Sequence, residues 1–132
     1  MRFLLDTCVI SDFAQGRPQT LARIKAASPE DLAASAITRM EIAYGLLKNP
    51  KVASRLATVM DALFGAIHIL PYDQPAAAAT AAARAELKRR GQPIGAYDLL
   101  IAGTALDRGL ILVTSNLREF NRIEGLRLEN WR

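Results

Sequence analysis

The chain has very few residues of the kinds that bind soft metals or carry out nucleophilic catalysis. It contains one cysteine, Cys8, and one histidine, His68. A single cysteine excludes an internal disulfide and a cysteine-based zinc cluster. A single histidine excludes a ribonuclease mechanism that uses two histidines, and it disfavours a histidine-rich metal site. A nucleophilic pair of Cys8 and His68 remains open, although no third residue is placed to orient it.

The sequence also lacks a long apolar run and a glycine-rich phosphate loop. The uncharged stretch 75–83 is rich in alanine and far too short to cross a bilayer. The apolar segment at the start contains Asp6, which the hydrophobic region of a signal peptide would not carry. We therefore expect a cytoplasmic protein without membrane association. Without a glycine-rich loop, nothing in the sequence indicates nucleotide binding.

The composition is that of an ordinary globular domain with a modest excess of positive charge. Hydrophobic residues make up 51% of the 132 residues and charged residues 23%, with a formal net charge of +4. This length predicts one domain, residues 1–132, with its own core. The positive charge would attract polyanions, but many basic proteins bind no nucleic acid.

Short apolar runs alternate with helical patterns along the whole chain. Phe3–Leu5 is a continuous apolar run, typical of a strand that is buried on both faces of a parallel sheet. Further strands are predicted within 31–36, 66–70, 110–114 and 126–130, and helices within 9–15, 18–27, 38–48, 51–65, 73–90, 95–109 and 117–120. The pattern predicts an α/β fold with a central parallel sheet of about five short strands, flanked by helices on both faces.

Asp6 directly follows the first predicted strand. Ligands of open α/β sheets bind in the crevice at the carboxyl ends of the strands, so a carboxylate at this position indicates a functional site. An equally simple interpretation is an N-cap, in which Asp6 accepts hydrogen bonds from the helix that follows. Asp6 alone does not decide between the two.

Three further oxygen donors follow strands or begin helices in the same way. Glu41 is expected in the first turn of the helix that begins at Thr38, and Asp98 in the first turn of another helix. Asn116 follows with Ser115 at the carboxyl end of the strand that ends at Thr114. Thr38 and Glu41 also fit a capping box, in which Glu41 only satisfies the backbone N–H of Thr38. Right-handed crossovers place the carboxyl ends of all the strands at one edge, where these groups would meet.

Clustered carboxylates repel one another unless a cation compensates their charge. Carboxylate and amide oxygens suit Mg²⁺ or Mn²⁺, which keep several waters and bridge to substrate phosphates. Such an ion activates water and stabilises the charge that develops at phosphorus. The residues therefore predict a metal site for phosphodiester hydrolysis, with basic residues holding a nucleic-acid backbone.

Five segments of the chain stand out together: Leu4–Thr7, Ile37–Ile42 with Tyr44 and Gly45, Ala96–Ala102, Leu112–Asn116 with Phe120, and the closing Gly125–Trp131. The first four resemble the four sequence motifs of PIN-domain ribonucleases. With the closing segment included, the chain is most similar to the VapC-type toxins of bacterial toxin–antitoxin pairs. They occur in the family's order and cover the whole chain, so the resemblance implies a single PIN-like domain.

The resemblance implies an endoribonuclease that depends on Mg²⁺ or Mn²⁺ and hydrolyses RNA. Asp6, Glu41 and Asp98 match the family's acidic metal-binding and catalytic positions, and Asn116 takes the place of a further Asp found in many members. This departure weakens the case for a second metal ion. Thr7, Thr114 and Ser115 are expected to orient the metal ligands or a water molecule.

The resemblance also implies protein partners. A cognate antitoxin is expected to pack its C-terminal segment into a groove formed by the two helices within 38–65 and to place a basic side chain at the acids. A homodimer, or a larger toxin–antitoxin assembly, is expected as well.

Two other functions compete with this hypothesis. A catalytically silent RNA- or protein-binding module with the same fold would explain Asn116 and the capping-box interpretation of Glu41. A small-molecule phosphatase is disfavoured, because an aspartyl-phosphate mechanism requires a second acid two residues after Asp6, where Cys8 stands. Base specificity would depend on which of the basic residues face the pocket, and linear spacing does not show this for Arg39, Arg84, Lys88, Arg89, Arg90, Arg118 and Arg122.

Overall fold

The chain folds around one parallel sheet. The computed structural model describes residues 1–132. In chain order the elements are β1 (Phe3–Leu5), α1 (Thr7–Ala14), α2 (Pro18–Ala26), a 3₁₀ turn (Pro29–Asp31), β2 (Leu32–Ser35), α3 (Ala36–Lys48), α4 (Pro50–Ala66), β3 (His68–Leu70), α5 (Gln74–Arg89), α6 (Ala96–Arg108), β4 (Ile111–Val113), α7 (Leu117–Phe120) and β5 (Leu128–Glu129). The strand order is β3-β2-β1-β4-β5, and all four pairings are parallel. The predicted α/β architecture is confirmed.

Both faces of the sheet are covered by helices, which explains the continuous apolar runs in the sequence. Alternate residues of a strand point to opposite faces. Phe3 and Leu5 therefore pack in one apolar cluster, together with residues of α4 such as Met60. Leu4 packs in the other cluster, together with residues of α6 such as Ile101. No helix has the length and apolarity that a bilayer crossing requires.

The start of α3 differs from the sequence-based prediction. The helix begins at Ala36, and Ser35 is its N-cap, with extended backbone angles and a side chain that accepts the Thr38 N–H at 3.0 Å. The predicted start at Thr38, with Glu41 in the first turn, was wrong by two residues. Glu41 consequently lies in the second turn. The capping box of Thr38 and Glu41 does not form, because Ser35 already satisfies this end of the helix.

Helices α5 and α6 pack closely because Gly103 brings the two backbones together. A Cβ atom at Gly103 would overlap the hydroxyl of Thr80 and lie 3.1 Å from the carbonyl oxygen of Ala76. The Thr80 hydroxyl donates a hydrogen bond to that carbonyl at 2.8 Å and accepts one from the Tyr72 hydroxyl at 2.9 Å. Thr80 therefore has little freedom to move away.

Gly103→Ala should destabilise the protein by about 1–3 kcal/mol, because overpacking forces a backbone shift or breaks the Thr80 hydrogen bonds. The matched control is Gly45→Ala, in an exposed part of α3 where nothing lies within 4 Å of an added Cβ. This control should be neutral or stabilise by roughly 0.5–1 kcal/mol, since alanine favours a helix interior. Urea unfolding of both variants checks the difference, and equal effects would contradict the close packing at Gly103.

Candidate active site

Asp6 lies at the carboxyl end of β1, in the centre of the sheet, and its side chain is 5% exposed. Its Oδ1 accepts the backbone N–H of Thr7 at 2.8 Å, which makes Asp6 the N-cap of α1. Its Oδ2 accepts the hydroxyl of Thr114 at 2.8 Å and lies 3.5 Å from the thiol sulfur of Cys8. Burial raises the pKa of the Asp6 carboxyl, although these hydrogen bonds act in the opposite direction. Asp6 is therefore both a helix cap and a member of the predicted site.

Glu41 is held towards Asp6 by the residue that follows Asp6. Its Oε1 accepts the hydroxyl of Thr7 at 2.8 Å, and the same hydroxyl lies 3.2 Å from that of Thr38. Thr7 thus links the start of α1 to α3. Because the hydrogen bond to Glu41 comes from another helix, the carboxylate is fixed by the tertiary fold rather than by a local cap.

Asp98 lies in the first turn of α6, as predicted, and the charges of three other acids act on it. Its pKa is raised to about 6, mainly by burial and then by the negative charges of Asp6, Glu119 and Glu41, with a further contribution from a hydrogen bond to Glu119. All three neighbours therefore act on one carboxyl group. Asp6 and Glu41, which are far from Asp98 in the sequence, therefore lie near enough to act on its charge, although the three carboxylates do not converge on one ion position.

Glu119 is the acid that the sequence interpretation missed. It lies in the first turn of α7, which begins four residues after the end of β4, and its Oε2 accepts a hydrogen bond from the side-chain amide of Asn116 at 3.1 Å. The Asn116 backbone N–H in turn donates to the Thr114 hydroxyl at 3.0 Å. Asn116 thus orients a neighbouring carboxylate instead of supplying one. The signal in the sequence was an acid three residues after Asn116, in a helix too short to show a helical pattern.

The three hydroxyl residues expected to support the site have different contacts. Thr7 and Thr114 donate to Glu41 and Asp6, as described above. The Ser115 hydroxyl lies 3.4 Å from the sulfur of Cys8 and contacts no carboxylate through a hydrogen bond. Ser115 can therefore act on Asp6 only through the thiol.

A nucleophilic pair of Cys8 and His68 finds no support in the structure. The polar contacts of the Cys8 thiol are with Asp6, Thr114 and Ser115. Burial and the charge of Asp6 raise the pKa of the thiol, which disfavours the reactive thiolate. His68 lies on the edge strand β3, where its side chain is exposed.

The donor atoms of these acids are carboxylate oxygens, which suit a hard divalent cation. The charges of Asp6, Glu41 and Glu119 all act on Asp98, and no basic side chain forms an ion pair with any of these four acids. No three His, Cys, Asp or Glu side chains are arranged to hold one ion together. Mg²⁺ commonly takes only one or two carboxylates, with water and substrate phosphate completing its coordination. The uncompensated charge and the oxygen donors therefore fit such an ion.

The model of the PIN-domain family matches residues 3–126, and the chain belongs to this family. The protein named tRNA(fMet)-specific endonuclease VapC from Salmonella typhimurium is 40% identical over 131 residues, covering 99% of this chain and 98% of that protein. The crystal structure of DNA-bound VapBC from Salmonella typhimurium superposes with a TM-score of 0.91 at 40% identity, covering 100% of this chain and 99% of that one. VapBC2 of Rickettsia felis, bound to a promoter DNA fragment, gives 0.90 at 29% identity, with both chains fully covered. The resemblance seen in the sequence is confirmed.

Proposed function

We propose that this protein is a metal-dependent endoribonuclease toxin of a toxin–antitoxin pair, which hydrolyses RNA phosphodiester bonds in the cytoplasm. The observation that supports this most directly is the geometry of the acids: the Thr7 hydroxyl donates to Glu41 and the Thr114 hydroxyl donates to Asp6, and both acids act with Glu119 to raise the pKa of Asp98. Folding keeps these acids close despite their repulsion, and a cation explains why such an arrangement is retained. PIN-domain nucleases are generally dependent on divalent metals.

In this proposal Asp6, Glu41 and Asp98 would hold Mg²⁺, one or two of them directly and the others through bound water, because the three do not converge on one ion position. Mn²⁺ would substitute for Mg²⁺, and Glu119 contributes further negative charge. The ion, when bound, stabilises charge on the phosphate and favours ionisation of an attacking water. Water oxygen bonds to phosphorus while the bond from phosphorus to one ribose oxygen breaks, and the leaving oxygen takes up a proton. Thr114 and Thr7 fix the orientation of Asp6 and Glu41, so the ligands need no rearrangement when substrate arrives. Asn116 affects catalysis only by positioning the Glu119 carboxylate through its side-chain hydrogen bond.

The second candidate function is a catalytically silent RNA- or protein-binding module with this fold. One observation favours it: no three acids are arranged around one ion position. The argument from Asn116 is weakened, because Glu119 supplies a fourth carboxylate beside it. The capping box that would have explained Glu41 does not form, since Glu41 accepts a hydrogen bond from Thr7 rather than from its own helix. One argument for the silent module is therefore lost. Calorimetry with Mn²⁺ discriminates between the two functions, because a silent module would retain RNA affinity without binding the metal.

The proposed partner is a cognate antitoxin that covers α3 and α4. Met40, Tyr44 and Leu47 lie at helical spacing on α3 and are exposed, Leu47 to 82%. An apolar row of this kind on a helix suits the apolar face of a partner segment. The similar chains from Salmonella and Rickettsia were solved as VapBC complexes. We also propose a homodimer, or a larger toxin–antitoxin assembly, because the resemblance to VapC-type toxins implies one.

The test of the proposed activity is a cleavage assay with purified protein, total RNA and a tRNA pool that includes initiator tRNA, because the Salmonella relative is named for that tRNA. We expect cleavage in Mg²⁺ or Mn²⁺, no cleavage in EDTA, and recovery when metal is restored. Mapping the cleaved ends identifies the substrate. Cleavage that persists in EDTA would contradict the metal dependence, and intact RNA under all conditions would contradict the nuclease function.

A further inference from the structure

A groove of about 660 Å³ lies beside the acidic site and has no role in the mechanism above. It is bounded by the second half of α5, the loop at 91–95 and the first turn of α6. We call it the α5–α6 groove. Leu87, Ile94 and Leu100 provide apolar surface, while Arg84, Lys88 and Tyr97 provide the polar groups that line it. Its size falls within the range of small-ligand sites, roughly 300–1,000 Å³.

The two basic side chains of the α5–α6 groove are free, whereas their neighbours are engaged. Arg84 and Lys88 form no hydrogen bond and no ion pair. Arg89 and Arg90 at the end of the same helix both pair with Glu86, and Arg122 donates to the carbonyl oxygen of Pro93 at 2.9 Å. The free cations of this region are therefore those at the groove, where an anion would meet no internal competitor.

The groove and the acids share the first turn of α6. Tyr97 lines the groove and is 52% exposed, and the next residue, Asp98, belongs to the acidic site. Neighbouring residues of a helix point about 100° apart, so one turn presents an aromatic ring on one side and a carboxylate on the other. A polymer phosphate at the acids would bring an adjoining nucleotide to the groove.

We propose that the α5–α6 groove binds one nucleotide of single-stranded RNA next to the scissile phosphate. The base stacks on Tyr97 against the apolar wall, and Arg84 and Lys88 bind backbone phosphate. This inference rests on the proposed function, since it assigns a position for the substrate of the same site. Nucleic acid fits better than a second copy of the chain, because two unpaired cations beside an aromatic ring complement an anionic, stacking ligand.

The experiment measures RNA binding separately from cleavage. Binding of a fluorescent single-stranded RNA is followed by anisotropy in EDTA over a range of salt concentrations, and cleavage of the same RNA is followed in Mg²⁺. Tyr97→Ala should weaken binding about tenfold, while Tyr97→Phe retains it, since stacking needs only the ring. Arg84→Gln and Lys88→Gln should each reduce the salt dependence by about one phosphate contact. Arg89→Gln, which removes the same charge from a paired position, is the control and should leave the salt dependence unchanged.

The outcomes separate this inference from the proposed function. RNA cleavage by the wild type with unchanged affinity in Tyr97→Ala and Arg84→Gln would overturn the groove proposal and leave the nuclease intact. Absence of cleavage with Tyr97-dependent binding would uphold the groove and overturn the nuclease. If Tyr97→Ala changes only the oligomeric mass in light scattering, the groove is an interface between protein chains, and the proposal is wrong.

Discussion

Asp98→Asn should reduce RNA cleavage at least about a hundredfold. The same substitution should stabilise the metal-free protein. The loss follows because an amide oxygen binds a divalent cation much more weakly than a carboxylate does, and because the metal contributes several kcal/mol to the transition state. The gain in stability follows because burial and three neighbouring acids oppose the charge of Asp98. One substitution therefore separates the requirements of chemistry from those of folding.

The sign of the pH dependence follows from the raised pKa. Asp98 has a pKa of about 6 in the folded protein, above its ordinary value of 3.8. Between these values the folded state binds more protons than the unfolded state, so stability falls as pH rises from about 4 to about 6. At higher pH this group costs about 1 kcal/mol, a value reduced to allow for the solvent screening of a half-buried carboxyl. Asp98→Asn should remove this part of the slope.

Thermal unfolding with and without Mg²⁺ measures both effects. Saturating metal should stabilise the wild type by roughly 1–3 kcal/mol, as expected for a ligand that binds only the folded state, and should stabilise Asp98→Asn much less. Asp107→Asn, an exposed acid near the other end of α6, is the control and should leave cleavage and the metal response unchanged. Full cleavage by Asp98→Asn would show that Asp98 does not bind the catalytic metal.

The sheet was predictable from the sequence because its strands are buried on both faces. The sequence shows continuous apolar runs at Phe3–Leu5 and at 111–113. The structure places these two strands side by side in the centre of the sheet. The start of α3 was less predictable, since Ser35 and Thr38 are both good N-cap residues. The choice between them depends on where β2 ends, and this is fixed by its pairing with β3 rather than by local sequence.

The candidate site was predictable where an acid directly follows a strand or begins a long helix. Asp6 and Asp98 meet that condition, and the structure brings them together. Glu119 was not identified, because α7 has only one turn and Asn116 occupied the position that the family pattern emphasises. The sequence also does not show which basic residues near the end of α5 lack an ion-pair partner. In the structure Glu86 pairs with Arg89 and Arg90 and leaves the others free.

Asp6→Asn and Asp6→Ala should both reduce RNA cleavage by at least about a hundredfold but should differ in stability. Asparagine retains an oxygen that accepts the Thr7 N–H, so the cap of α1 persists. It also removes a charge whose burial is unfavourable, as the raised pKa of Asp6 shows. The amide nitrogen of asparagine then replaces Oδ2, and the Thr114 hydroxyl can rotate to accept a hydrogen bond from it. Alanine removes the cap and leaves the buried hydroxyl of Thr114 without any partner at this position. The alanine variant should therefore lose about 2–3 kcal/mol, and the asparagine variant little.

Asp73→Ala supplies the control, because Asp73 also caps a helix and does not belong to the acidic site. It caps α5 by accepting the Ala76 N–H at 3.1 Å, and its other oxygen pairs with Arg108 at the surface. This substitution should cost about 1 kcal/mol in urea unfolding and leave the cleavage rate unchanged below its unfolding transition. Cleavage at the wild-type rate by Asp6→Asn would mean that Asp6 serves only as a cap. In that case the carboxylate at the centre of the sheet would have no part in binding metal, and the acids on α3, α6 and α7 would have to hold the ion without it.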